Sequence, residues 1–168
     1  KTELKVGDKL IDFKRPWKRV SMYEIIEEYT GKDISSLDIV ELRAFSKQIG
    51  LDLDESVGRG KIIDEIFGLK CEPNIIQPTF ITNYPVEMSP LAKKHRTQEG
   101  LVERFEMVCN GKEICNAFSE LNDPIDQRKR FMEQINLAKK GDKEAMLLDE
   151  DYINAIEYGM PPTAGLGI

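Results

Sequence analysis

The sequence is poor in the residues that build disulfide frameworks and zinc sites. It contains three cysteines and one histidine in 168 residues, and no two cysteines form a CxxC pair. A small, odd number of cysteines favours a reducing compartment and argues against both kinds of site. The sequence also has no run of 18 apolar residues and no apolar signal segment near its start. We therefore expect a cytoplasmic protein without membrane association.

The chain lacks the positive charge that is typical of general nucleic-acid-binding proteins. Its 24 basic and 30 acidic residues give a net charge of −6, and affinity for phosphates comes mainly from Lys and Arg. Three basic clusters remain, at residues 14–19, 93–96 and 128–130. Each could contact RNA, but a solvated surface is the commoner role of such a cluster. His95 lies in the second cluster and has no sequence neighbour with which to form a catalytic triad or a metal site.

Length and composition indicate an ordinary globular chain. Hydrophobic residues make up 40% and charged residues 32% of the sequence, and a chain of this length can bury a substantial core. The first residue is Lys1 rather than Met, and Ile168 ends a glycine-alternating run. We therefore expect an excised fragment of a longer protein.

The first half of the chain carries clear helix signals. Ser or Asp followed three residues later by Glu forms a capping box, and this pattern occurs at residues 21–24 and 38–41. A third helix is predicted within residues 61–70 from its apolar spacing. Residues 21–72 thus form a predicted helical block, whose apolar stripes indicate a core rather than a cofactor site.

Strand and turn signals flank this block. Residues 3–13 predict a β-hairpin and residues 78–82 a strand, while two prolines make residues 83–90 an irregular loop. A helix is predicted to begin at Asp123, an N-cap followed by proline, and a last helix covers residues 150–159. The buried face of the helix that follows Asp123 is predicted to comprise Ile125, Phe131, Met132, Ile135 and Ala138.

A second hairpin is predicted around Asn110-Gly111, because this dipeptide favours a two-residue type I′ turn. Unbroken pairing would place Val108 opposite Glu113, and Glu106 opposite Cys115. The two glutamates would then lie diagonally on one face, about 7–8 Å apart. Next to the turn, Cys109 would pair with Lys112. The opposite face of the hairpin, which we expect to pack on a core, would hold Phe105, Met107, Cys109 and Ile114.

Two neighbouring carboxylates repel unless a cation lies between them. Mg²⁺ typically takes one or two carboxylates together with substrate phosphates, so Glu106 and Glu113 predict a magnesium–nucleotide site on a polar surface. The alternative is an exposed sheet face whose glutamates pair with lysines elsewhere. The spacing alone does not decide between the two interpretations, and the apolar character of the opposite face favours the site.

Several stretches together resemble class II lysyl-tRNA synthetases. They are "YTGKDIS", "PTFITNYPVEMSPLAK", "RFEMVCNGKEICNAFSELNDPIDQ" and "KKGDKEAMLLDEDYINAIEYGMPPTAGLGI". The resemblance covers essentially the whole chain. It implies an α+β fold, part of the class II catalytic domain, in which helices flank an antiparallel sheet. The implied parts are a helical insertion (21–72), a sheet region with the active-site hairpin (74–121), flanking helices (122–160) and the start of the third class II motif (161–168).

The resemblance also implies ligands and the residues that hold them. The implied ligands are ATP with Mg²⁺, L-lysine and tRNA(Lys). The matching positions are Glu106 and Glu113 for Mg²⁺ on ATP, and Asn116, Phe118 and Glu120 for lysine. Gly165 and Gly167 match glycines of the third motif, where small residues let the backbone approach the ligand. Glu120 is the natural partner of the lysine ammonium, since a pocket with an unpaired carboxylate rejects neutral side chains.

One conflict between pattern and resemblance leads to a further prediction. Strict strand alternation puts Asn116, Phe118 and Glu120 on the face opposite Glu113, although the resemblance requires all four around one cavity. We therefore predict a β-bulge at Ile114–Cys115, because one extra residue restores a common face.

The resemblance also implies parts that this sequence does not contain. The first motif, the second motif with its ATP-binding arginine, the arginine that ends the third motif and the anticodon-binding domain have no counterpart here. The implied parent is a homodimer that makes lysyl-adenylate and transfers lysine to tRNA(Lys). We assign no catalytic residue to the fragment and expect it to be inactive alone.

Two other functions remain open at this point. The first is a related ligase that attaches lysine to a translation factor and has no anticodon domain. The second is a non-catalytic interaction module in which the hairpin carboxylates are surface charge. Substituting Glu106 or Glu113 separates the second alternative from a ligase.

Overall fold

The computed structural model describes residues 2–141 and 145–168, and the described part has an α+β fold. Its strands are β1 (Glu3–Val6), β2 (Lys9–Asp12), β3 (Lys18–Ser21), β4 (Thr79–Thr82), β5 (Arg104–Cys109), β6 (Lys112–Ser119) and β7 (Ala164–Gly167). Its α-helices are α1 (Met22–Thr30), α2 (Ile39–Gln48), α3 (Arg59–Lys70), α4 (Pro124–Lys139) and α5 (Glu150–Glu157). The predicted fold class is confirmed. Within the described ranges, no helix combines the length and apolar character needed to cross a membrane.

A five-stranded sheet forms the centre of the chain, in the order β3-β4-β5-β6-β7, and β1 and β2 pair separately as the predicted hairpin. Strands β4 to β7 are antiparallel, as expected, but β3 and β4 are parallel. The reason is the connection, because parallel strands need a long crossover. Here α1, α2 and α3 supply it. The sheet is therefore mixed rather than wholly antiparallel.

The helical block begins at the predicted caps and forms the main core. Ser21 and Asp38 each accept a hydrogen bond from the backbone of the glutamate three residues later, which completes both capping boxes. Gly31 ends α1 with φ of 73°, a conformation that glycine adopts at little cost. The fully buried side chains of this cluster include Met22, Ile26, Leu42, Ile62, Ile63, Ile66, Ile81 and Val108. Each such burial stabilises the fold by roughly 1.5–3 kcal/mol.

A smaller core lies under the second hairpin. Met107 and Cys109 are buried there against Ile11, so the expectation that this strand face packs on a core is confirmed. Ile114 was expected on the same face but is 43% exposed. The strand irregularity described below accounts for this difference.

The buried face of helix α4 only partly matches the one that its apolar spacing predicts. Phe131 is buried, as predicted, but Ile125 is 82% exposed and Met132 is 46% exposed, so the predicted burial of these two is wrong. The other buried residues are Gln127 and Arg130. The physical reason is that this face packs on a loop whose backbone carbonyl groups need hydrogen-bond donors, which polar side chains supply.

The proline-containing segment after β4 is mostly irregular, as predicted, but includes one 3₁₀ turn, Val86–Met88. It lies against α3 at Gly60. A Cβ atom added at Gly60 would lie 2.6 Å from the carbonyl oxygen of Glu87, which is too close for any other residue. An ion pair between Arg59 and Glu87 (3.2 Å) adds to this contact. The helical block therefore supports the segment that approaches the start of β5.

Candidate active site

The hairpin of β5 and β6 contains the predicted β-bulge. Val108 pairs with Glu113, as expected, but Met107 pairs with Cys115. Ile114 therefore has no partner on β5, and the register shifts by one residue at this point. The bulge predicted at Ile114–Cys115 is confirmed.

The bulge places the hairpin side chains on one face. Glu106 pairs with Asn116, so the unbroken pairing of Glu106 with Cys115 is wrong. Paired residues share a face, and so do residues two apart on one strand. Glu106, Glu113, Asn116 and Phe118 consequently lie on the same side of the sheet. The unbulged pattern would have kept Glu113 with Glu106 and turned Asn116 and Phe118 to the opposite face.

This face is not simply a polar surface. Glu106 is only 8% exposed, and Val108 on the same face belongs to the main core. Phe118 is partly buried and packs against that core. Glu113, by contrast, is exposed. The expected polar surface is therefore limited to the end of the hairpin.

Arg104, which no sequence motif marks, connects the strands to the preceding loop. Its Nε atom donates to Oδ1 of Asn116 (3.1 Å), and Nη2 donates to Oε1 of Glu106. Its Nη1 atom donates to the carbonyl oxygen of Met88 (3.1 Å) and to Oγ of Ser89 (2.8 Å). All three nitrogens are thus bonded to protein groups. A sequence signal did exist, since Arg104 stands two residues before Glu106 on the same strand face.

The Arg104 guanidinium also stacks on an aromatic ring outside the predicted site residues. Its Cζ atom lies 4.5 Å from the centre of the Tyr84 ring, a cation–π contact. Tyr84 is 1% exposed, and burial raises the pKa of its phenol far above the usual value, with the Glu106 charge adding to the rise. Tyr84 lies in the irregular segment after β4, so no strand or helix pattern marked it.

The carboxylate of Glu106 is held at one of its two oxygens. Oε1 accepts from Arg104 and from Nδ2 of Asn116 (3.1 Å). Burial raises the pKa of Glu106 above its usual value, and the Glu113 charge contributes in the same direction, whereas Arg104 opposes the rise. Because both hydrogen bonds fall on Oε1, these donors leave Oε2 for a ligand.

A groove of about 860 Å³ runs past this network. Its lining includes Glu106 and Glu113 together with Arg104 and Tyr84, and the walls come from α3, α4 and the loop after β4. Among the described residues no group of three or more His, Cys, Asp or Glu is placed to hold a metal ion. Two carboxylates facing a groove fit a hard cation whose other ligands come from substrate phosphates. The donor chemistry therefore fits Mg²⁺ bound with a nucleotide.

The other predicted ligand-binding residues lie on the neighbouring sheet surface. Gly165 of β7 pairs with Phe118, and Gly167 pairs with Asn116. A Cβ atom added at Gly165 would lie 2.7 Å from Oε1 of Glu120, so only glycine leaves this carboxylate in place. Burial raises the pKa of Glu120 above its usual value. In the described part of the chain, its carboxylate has no hydrogen bond or ion pair.

The predicted residues are thus distributed over three adjacent strands. Glu106 and Glu113 line the groove, whereas Asn116 holds Glu106 and Arg104 rather than opening into a pocket. Phe118, Glu120, Gly165 and Gly167 follow on β6, at its end and on β7. This order puts a carboxylate pair and a single unpaired carboxylate on one continuous sheet.

A comparison with protein families gives a match over the whole chain. The family described as tRNA synthetases class II (D, K and N) matches residues 1–168. The chain belongs to the class II tRNA synthetases. The resemblance stated from the sequence motifs is confirmed, and so is the class II catalytic fold that it implied.

Individual relatives of this class II synthetase chain carry one name. This chain is 63% identical over 167 residues to a lysine–tRNA ligase of Porphyromonas gingivalis. The matched region covers 99% of this chain and 29% of that protein. This chain is 55% identical to a lysine–tRNA ligase of Azobacteroides pseudotrichonymphae, over 99% of this chain and 33% of that protein. It is 56% identical to a lysine–tRNA ligase of Christiangramia forsetii, over 99% of this chain and 29% of that protein. The chain thus spans about a third or less of the curated relatives that it matches.

Proposed function

We propose that the chain is the catalytic-domain segment of a cytoplasmic, homodimeric lysine–tRNA ligase. The full-length protein activates L-lysine with ATP and Mg²⁺ as lysyl-adenylate and transfers lysine to tRNA(Lys). The names of the relatives support this proposal. The observation that carries it is the unpaired, partly buried carboxylate of Glu120 beside Gly165, on the same sheet as the carboxylate pair. The parts proposed are an insertion (21–72), a sheet region (74–121), flanking helices (122–160) and the start of motif 3 (161–168).

The carboxylate pair would hold the metal. Glu106 and Glu113 would bind Mg²⁺, which, when bound, reduces the charge of the ATP phosphates. Arg104 and Asn116 fix Oε1 of Glu106, so this carboxylate needs little reorganisation when a ligand arrives. Arg104 also opposes the burial that favours protonation of Glu106. The pair is therefore prepared for a cation before substrate binds.

Glu120 would select the amino acid. A carboxylate with no protein partner can accept hydrogen bonds from an ammonium group, and a neutral side chain would leave it unpaired. Gly165 and Gly167 would let the backbone of β7 approach the substrates closely. The reaction itself is attack of the lysine carboxylate on the α-phosphate of ATP, which breaks the bond to the β-phosphate, forms lysyl-adenylate and releases pyrophosphate. The protein contributes positioning and charge stabilisation to it rather than a covalent intermediate.

ATP–pyrophosphate exchange, measured with all twenty amino acids, tests the proposal directly. The full-length protein should respond to lysine, and this chain alone should show no exchange. The physical reason is that both arginines lining the groove, Arg59 and Arg104, are already bonded to protein groups. Neither is therefore free to stabilise charge on the α-phosphate. Lysine-dependent exchange by the chain alone would contradict this expectation.

The exchange assay, together with an assay of tRNA charging, separates the remaining alternatives. A full-length protein that exchanges with lysine but does not charge tRNA(Lys) would be the related ligase that modifies a translation factor. A full-length protein silent with every amino acid would support an interaction module.

Gly165→Ala should raise the KM for lysine about tenfold in the full-length protein. The new Cβ atom would force the Glu120 carboxylate to move, since it would lie 2.7 Å from Oε1. Losing a hydrogen bond to a charged group costs about 1.5–3 kcal/mol, which corresponds to tenfold or more. The displaced atoms are the end of a flexible side chain, so the thermal midpoint should change little.

Gly167→Ala is the matched control for this experiment. Its Cβ atom would meet only the carbonyl oxygen of Asn116, at 3.9 Å, which is an ordinary contact. The lysine KM should therefore stay at the wild-type value, whatever happens to the KM for ATP. Equal lysine KM values in both variants would show that Gly165 does not position Glu120.

A further inference from the structure

The basic cluster at residues 128–130 contains a buried arginine that has no role in the proposed function. Arg130 is 4% exposed although it carries a full charge. Its Nη1 atom donates to the carbonyl oxygens of Ser89 (3.1 Å) and Ala92 (2.7 Å), and Nη2 donates to Oδ2 of Asp126 (3.1 Å). It is thus a buried clamp on the loop after β4, and not a contact site for RNA.

Asp126 is the carboxylate partner of the buried guanidinium, and Lys94 shares it, at 3.0 Å. Burial alone would raise the pKa of Asp126, but hydrogen bonds from Arg130 and Lys94 outweigh it and lower the pKa below its usual value. Asp126 therefore stays ionised at neutral pH and offsets part of the positive charge of the two side chains.

Ser89 is where the clamp meets the candidate active site. This residue is 5% exposed. Its carbonyl oxygen accepts from Arg130 of α4, and its hydroxyl oxygen accepts from Arg104 of β5 at 2.8 Å. Arg104 in turn donates to Oε1 of Glu106. An unbroken series of hydrogen bonds therefore leads from α4 to the carboxylate that lines the groove.

We propose that Arg130 is a positioning residue for the metal-holding carboxylate pair, acting through Ser89 and Arg104. The inference rests on the proposed function, because it assumes that Glu106 holds Mg²⁺ with ATP. Arg130 touches no substrate in this scheme. It fixes the position of Ser89, whose hydroxyl oxygen accepts from Arg104. Arg104 in turn fixes Oε1 of Glu106 beside the groove.

Gln127 offers a matched control on the same helix. It is fully buried, and its Nε2 atom donates to the carbonyl oxygen of Pro90 at 3.1 Å. It thus holds the same loop one residue further on, but it makes no hydrogen bond to Ser89 or Arg104 in the described structure. If α4 only supported the fold, substitutions of Arg130 and Gln127 would have equal effects on the Mg²⁺ requirement.

The experiment compares Arg130→Met and Gln127→Met in the full-length protein. The measurements are the Mg²⁺ concentration for half-maximal lysine-dependent exchange, the lysine KM and the thermal midpoint. Arg130→Met should raise the half-saturating Mg²⁺ concentration about tenfold and leave the lysine KM unchanged. Gln127→Met should lower the thermal midpoint without changing the Mg²⁺ requirement.

Ser89→Ala tests the middle of the series. It removes the hydroxyl that binds Arg104 and keeps the carbonyl that binds Arg130. We expect the same direction and size of Mg²⁺ effect as in Arg130→Met. Because both variants interrupt one series, the double variant should show no more than the larger single effect.

Arg130→Lys covers the case in which Arg130→Met does not fold. Lysine keeps the charge next to Asp126 but cannot bond both carbonyl oxygens in the same geometry, so a smaller rise in the Mg²⁺ requirement is expected. A wild-type Mg²⁺ requirement in every folded Arg130 variant would overturn the inference while leaving the proposed function intact. Full exchange activity in Glu106→Gln would show that Glu106 does not hold Mg²⁺ and would overturn the inference with that assignment. A full-length protein that exchanges with no amino acid would overturn the proposed function.

Discussion

Glu106→Gln should reduce lysine-dependent ATP–pyrophosphate exchange of the full-length protein by about 10²- to 10³-fold, the usual loss when one preorganised charge-stabilising group is removed. Glutamine keeps the size of the side chain and can still accept a hydrogen bond from Arg104. It lacks the negative charge that a hard cation requires. The loss should therefore appear in activity, with a thermal midpoint close to that of the wild type. Exchange rates and thermal melting of the purified variant measure both.

Glu133→Gln provides the control within the same groove. Glu133 also lines the groove, but its side chain is 62% exposed and its ion pair with Lys129 is long, at 4.0 Å. Such an exposed pair contributes little to the stability of the fold. Since Glu133 is also not assigned to the metal, activity should remain near the wild-type level. Glu113→Gln should behave like Glu106→Gln. Full activity of both the Glu106 and Glu113 variants would mean that the hairpin carboxylates are surface charge and hold no metal ion.

Glu120→Gln should lower kcat/KM for lysine by about tenfold to a hundredfold. The variant keeps the shape of the pocket and loses the counter-charge of the ammonium group. Discrimination against norleucine, which has no ammonium on its side chain, should narrow by a similar factor, since an unpaired carboxylate no longer opposes it. The measurement is exchange with lysine and with norleucine over a range of concentrations.

The pH dependence of the lysine KM supplies the control for this variant. Burial raises the pKa of Glu120 above 4.5, and only its ionised form attracts the ammonium. The wild-type KM should therefore rise as the pH falls through this raised pKa. Glu120→Gln has no group to protonate there, so this part of the pH dependence should be absent. An unchanged lysine KM at neutral pH in the variant would show that another group binds the ammonium.

The bulge in β6 could be predicted because two independent lines of reasoning disagreed. Alternation placed Glu113 away from Asn116, while the family resemblance placed them together. One extra residue reconciles them, and the observed pairing has this form. The helix caps at Ser21 and Asp38 were predictable for a simpler reason, because a capping box is a local interaction between residues close in sequence.

The buried face of α4 and the role of Arg104 were not predictable in this way. Apolar periodicity assumes that a helix packs on apolar side chains. Here α4 packs on the backbone carbonyls of the loop after β4, so Gln127 and Arg130 are buried and Ile125 is not. Arg104 stood at a visible position, but its importance depends on Met88 and Ser89, which only the fold brings near it.

The unpaired Ile114 lets Glu113 and Asn116 share a face although they are three residues apart. Side chains on a strand change face with every residue, so residues three apart on an unbroken strand point to opposite sides of the sheet. The bulge absorbs Ile114, and both side chains stay on the side of Glu106. In a chain without Ile114 the two residues would be two apart, and regular pairing would still place them on one face. Ile114 and the bulge must therefore be gained or lost together.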